Sequence, residues 1–161
     1  GIAKALPYNK VTAGKPLVAL WMHGSPGLAK RPYVPDIKRL IAEEYMGILP
    51  SYVVMDDALN AETFYRHEDI MRLSREVGAE YVVICGIDGN QSKDKDYWYI
   101  VLNQGVFKAD GSLMSIVTFA KKVSATGNIQ ATGENLLSAK EELQRHLPFV
   151  TVEQQKLFCY Y

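Results

Sequence analysis

Tyr81-Val-Val-Ile-Cys-Gly-Ile87 is a nearly continuous apolar run between turn-forming residues, the pattern of a strand covered on both faces. Ahead of it stands Glu68-Asp-Ile-Met-Arg-Leu-Ser-Arg-Glu-Val77, in which Ile70, Leu73 and Val77 recur at i, i+3 and i+7 and predict an amphipathic helix. Gly78 falls where a left-handed residue would stop that helix. Helix, glycine and buried strand form one unit, and the remaining segments are read against it.

Upstream, Leu17-Val-Ala-Leu-Trp-Met22 is a second run apolar on both faces, which predicts another interior parallel strand. A loop punctuated by Gly24, Pro26, Gly27 and Pro32 leads to a helix starting near Pro35. Proline suits the first helical turn because the N–H it lacks would be unpaired there, and Asp36 favours the positive end of the helix dipole. Ile37, Leu40, Ile41 and Ile48 give this helix its stripe, Pro50 ends it, and Ser51-Tyr-Val-Val-Met55 is a third short strand.

Downstream, Asp88 to Asp96 is polar enough to predict a turn. Tyr97 to Lys108 and Ser112 to Val123 alternate in polarity around Ala109-Asp-Gly111, the pattern of an antiparallel hairpin. Ser124 to Thr132 is predicted as loop, and Leu136, Ala139, Leu143 and Leu147 mark a last helix ended by Pro148. Thr151-Val-Glu-Gln154 has capping-box spacing and predicts a further short helix. The fold expected is therefore a three-layer α/β/α domain with a five-stranded mixed sheet in the order 2-1-3-4-5, plus a C-terminal helix. Residues 1–15 are expected to form a flexible arm, 16–147 the single domain and 148–161 a tail.

A chain of 161 residues is one ordinary domain that buries roughly two thirds of its unfolded surface. With 18 basic and 18 acidic residues its formal charge is zero, so bulk electrostatics gives no case for nucleic acid or an anionic membrane. No apolar run approaches the ~18 residues of a helical span, and no insertion into a membrane is expected. Gly1, in place of an initiator Met, leaves a removed targeting segment open. The two cysteines, Cys85 in the central strand and Cys159 near the end, make no framework; a bridge between them depends on a distance the sequence does not give.

Residues 16–124 resemble the N-terminal domain of TolB, the Tol–Pal component, through Leu17-Val-Ala-Leu20, the helix Ile37 to Glu44, Tyr52-Val-Val-Met-Asp56 and above all Leu73 to Gly86. The family's Gly-Ala-Asp-Tyr-Val-Leu signature stands here as Gly78-Ala-Glu-Tyr-Val-Val83. Related modules occur in curli-pore lipoproteins and peptidoglycan-synthase activators. The resemblance implies an anticodon-binding-like fold, a periplasmic or otherwise extracytoplasmic place, and a non-enzymatic role, without cofactor, in contacting another envelope protein or a second copy of the chain. Met22-His23 replaces the family's Pro-Phe, and no propeller repeat follows.

Other chemistries leave only fragments. Trp21-Met-His-Gly-Ser-Pro-Gly27 is similar to the oxyanion loop of α/β-hydrolases, so a small-molecule-binding or hydrolase-like domain using the His23–Gly27 loop is the alternative. No Gly-x-Ser-x-Gly elbow accompanies it. Asp88, Asn90 and Ser92 open like a calcium loop, but Lys93 and Tyr99 occupy the glycine and bidentate-glutamate positions. No His or Cys spacing suggests a metal. Two candidate sites remain. His23, Ser25, Asp88 and Asn90 are expected to meet in a crevice where the winding reverses between the first and third strands. Ser115, Val117 and Phe119 are expected to mark an edge strand open to strand addition, since Ser112 to Ala120 carries neither charge nor proline.

Overall fold

The computed structural model describes residues 4–5, 17–24, 31–56, 67–91, 97–123 and 127–152. Along these lie β1 (Lys4–Ala5), β2 (Val18–Gly24), α1 (Val34–Met46), β3 (Tyr52–Asp56), α2 (His67–Val77), β4 (Tyr81–Gln91), β5 (Trp98–Lys108), β6 (Leu113–Lys122) and α3 (Asn128–His146). The sheet runs β1-β3-β2-β4-β5-β6. Its five longer strands stand in the expected 2-1-3-4-5 order, with β2 parallel to both β3 and β4 and the hairpin β5–β6 antiparallel beside β4. Within the expected arm, Lys4–Ala5 adds a short strand antiparallel to Met55 and Asp56. Two residues have no readable period, and a backbone ladder accepts almost any side chain.

Right-handed crossovers that run in opposite directions along the sheet, β2 to β3 through α1 and β3 back past β2 to β4 through α2, must place their helices on opposite faces. The two cores show this arrangement. On one face α1 and α3 enclose Leu20 and Met22 of β2, Val83 and Cys85 of β4, and Leu102 and Val106 of β5. On the other, α2 covers Ala19, Trp21, Val82 and Ile84 through Ile70 and Leu73. The two-face apolarity of β2 and β4 thus has its cause, and each such side chain contributes about 1.5–3 kcal/mol by leaving water. Gly78 ends α2 at φ 74°, and its N–H reaches the Ser74 carbonyl at 2.7 Å, as the sequence predicts.

Three boundaries differ from expectation, the first being that α1 ends at Met46, so Ile48 lies beyond it and Pro50 is not what stops it. The strand read as ending at Ile87 continues as β4 to Gln91, because β5 holds Asp88 to Gln91 in register with Val101 to Trp98. A strand partner satisfies the backbone of these polar residues, so their turn propensity is overridden. The helix expected after Thr132 starts at Asn128. Ala131 and Thr132 are buried, and the Thr132 hydroxyl donates to the Asn128 carbonyl at 2.8 Å, so tertiary packing holds a Thr-Gly pair that propensity disfavours. Past α3, Val150 is buried among the same core residues and Phe149 meets Tyr81 with ring centroids 5.6 Å apart.

The hairpin turn carries one sharp constraint. Gly111 has φ +86°, and a Cβ there would lie 2.7 Å from His67 Nδ1 and 3.0 Å from the His67 carbonyl oxygen. Gly111→Ala is therefore expected to lower stability by about 1–3 kcal/mol in urea unfolding. His67→Ala should restore only part of the loss, because the backbone contact and the strain remain.

Candidate functional site

Tyr45, Cys85 and Gln104 form a fully buried polar group drawn from α1, β4 and β5. Tyr45 donates its hydroxyl hydrogen to Gln104 Oε1, and Gln104 Nε2 donates to the Ala139 carbonyl at 3.1 Å. Burial pushes the Cys85 thiol up to about 12, partly offset by the hydrogen bond with Tyr45, and burial also raises the Tyr45 phenol. A thiol held neutral in this way is a packing group and not a nucleophile. Because both groups are raised in the folded state, the stability they contribute is fully present below their unfolded values, near 9 for Cys85 and 10 for Tyr45, and the Cys85 share is lost as pH climbs towards 12. Melting temperature is expected to fall across that window, and iodoacetamide should label Cys85 only after unfolding.

The crevice residues stand as follows. His23 pairs in register with Gly86, and Gly24 with Ile87. Asp88 is the next residue along β4, so His23 and Asp88 lie at the same, carboxyl, end of the parallel strands. Asp88 and Asn90 belong to the β4–β5 ladder, opposite Val101 and Tyr99, and Asp88 Oδ1 accepts from the Gly89 N–H at 2.8 Å. Ser25 lies outside the described residues, as does Cys159. Among the described residues no three His, Cys, Asp or Glu side chains converge as metal ligands, and no helix is long and apolar enough to cross a membrane.

The edge is built from β6. It pairs with β5 on one side, and among the described residues no strand pairs with its other side. Which groups it leaves open follows from one hydrogen bond: the Val123 N–H donates to the Trp98 carbonyl at 2.8 Å. In an antiparallel ladder, residues direct both backbone groups alternately towards and away from the partner. Val123, Lys121, Phe119, Val117 and Ser115 therefore face β5, and Ala120, Thr118 and Ile116 present their N–H and C=O groups outwards. This corrects the residue set expected from sequence. Ser115, Val117 and Phe119 spend their backbone groups on β5 and are half-buried, with Phe119 packed against the core of the helix-covered face.

Side chains around the outward set fit this reading. Ile116 is 48% exposed and Leu113 57%, while Thr118 Oγ1 donates to Asn103 Oδ1 at 2.7 Å across the ladder. A bulge between Val106 and Phe107 inserts Met114 into β6 and sets this parity. Lys122 is held over the Tyr97 ring, 4.2 Å from its centroid, at the far end of the strand. Among the described residues, the segment after α3 runs through Phe149 and Val150 against Tyr81 of β4 and the core under α1 and α3.

No protein-family model matches the chain, and no curated protein does. Among solved structures it is similar to PelC from Paraburkholderia phytofirmans, solved as a dodecamer, at 11% identity over 81% of this chain and 91% of that one with a TM-score of 0.47. It is also similar to a lipoprotein from Neisseria meningitidis, at 12% identity over 80% of this chain and 96% of that one with a TM-score of 0.40.

Proposed function

We propose that this domain is a non-enzymatic interaction module that binds an extended segment of a protein partner by adding it as a strand to β6. The observation that carries the reading is the outward row of Ile116, Thr118 and Ala120 backbone groups on a strand without charge or proline from Leu113 to Ala120. Backbone hydrogen bonds supply affinity in such a mode, and alternate side chains supply selectivity. The resemblance of residues 16–124 to TolB-type modules supports a place in the cell envelope, outside the cytoplasm.

Amide hydrogen exchange, read at a dilution where the chain is monomeric, tests the open edge. The Ile116, Thr118 and Ala120 amides are expected to exchange rapidly while those of Val117 and Phe119 are protected. Equal protection of both sets in the monomer would mean that the edge is already covered, and would overturn the reading.

A further inference from the structure

We infer that the partner strand is β6 of a second copy, added antiparallel about a two-fold axis at Thr118; this rests on the open-edge reading above. The outward groups belong to Ile116, Thr118 and Ala120, so a self-pairing must match this set with itself. Centring the axis on Thr118 does so. Thr118 meets Thr118 of the second copy, Ile116 meets Ala120, and Ala120 meets Ile116, giving roughly six backbone hydrogen bonds.

The side chains in that register are mutually compatible. On the face without α1 and α3, the half-exposed Ile116 lies beside the small Ala120 of the second copy, and two threonines meet across the axis. On the helix-covered face, Val117 falls beside Phe119 of the second copy twice over. Aromatic–aliphatic and Thr–Thr cross-strand pairs each contribute roughly 0.2–1 kcal/mol. Charge selects the direction of pairing. Antiparallel addition sets Lys121 and Lys122 of one copy beside the uncharged Ser115 and Met114 of the other, at opposite ends of the interface. Parallel in-register pairing would stack all four lysines, which is unfavourable. The contact is isologous and closes on itself, so it ends at a dimer.

The test is analytical ultracentrifugation of the full chain with Cys159→Ser, over a hundred-fold concentration range reaching about 500 μM. The mass is expected to rise from 18.1 kDa to twice that value. Thr118→Pro deletes an outward donor and no β5 hydrogen bond, so it should remain at 18.1 kDa with an unchanged far-UV spectrum. Thr118→Cys should crosslink to its own copy on mild oxidation, because directly paired residues come within disulfide reach. Ser115→Cys should not, since the axis holds its two copies about 20 Å apart. A chain that stays monomeric at every concentration, with rapid exchange at Ile116, Thr118 and Ala120, would remove the second copy and leave the open edge standing. A monomer with those amides protected would remove both. A dimer that survives Thr118→Pro, or that crosslinks through Ser115→Cys instead, would overturn the proposed pairing.

Discussion

Val83→Asp is expected to leave the chain unfolded at 25 °C. Val83 is fully buried in β4, in register with Leu20 of β2 on one side and Val106 of β5 on the other, under α1 and α3. An aspartate there must either keep a charge with no partner or take up a proton and still lack hydrogen bonds, and either course costs several kcal/mol. A domain of this kind has about 5–15 kcal/mol in total, and the cavity and packing losses add to the penalty. Far-UV circular dichroism and urea titration read the outcome. Val83→Ala grades it, with an expected loss of about 1–3 kcal/mol. Native-like melting of Val83→Asp would sink the placement of β4 at the centre of the sheet.

Gln104→Ala is expected to cost about 2–4 kcal/mol, a large effect for a polar residue. Gln104 is fully buried in β5, and its amide joins Tyr45 of α1 to the Ala139 carbonyl of α3. Truncation leaves the buried Tyr45 hydroxyl without its acceptor and opens a cavity between the helices and the sheet. Tyr45→Phe alone should cost about 1–2 kcal/mol by leaving Gln104 Oε1 unpaired. Combining Tyr45→Phe with Gln104→Leu should cost less than the sum of the single changes, since both partners then become apolar. Urea unfolding of the wild type, Tyr45→Phe, Gln104→Leu and the double variant measures the coupling, and strict additivity would refute the link.

Local sequence reached the parts of this protein whose side chains alone fix their state. The runs in β2 and β4 are apolar on both faces and can be stable only inside a sheet covered on both sides. The i, i+3, i+7 stripe of α2 and the glycine after it specify one helix and its end, and two alternating segments around a short turn specify a hairpin. From these, strand order followed through crossover handedness. The edge strand was legible too, because strand order makes β6 terminal and its stretch from Leu113 to Ala120 lacks the charges that blunt an edge.

Tertiary structure decided what depends on partners distant in sequence. Asp88 to Gln91 read as a turn and became strand, because β5 supplied hydrogen bonds that polar side chains do not forbid. Asn128 to Thr132 read as loop and became helix, because the sheet buries Ala131 and Thr132. Gln104 gave no sign that it would be a fully buried link between two helices. The outward set on β6 was equally hidden. Side-chain alternation tells which face of a sheet a residue occupies, but the direction of its N–H and C=O is set by ladder phase, which the turn and the Met114 bulge fix. Ser115, Val117 and Phe119 share an outline in the sequence with their neighbours, and only the hydrogen bond from Val123 to Trp98 shows that Ile116, Thr118 and Ala120 hold the open groups.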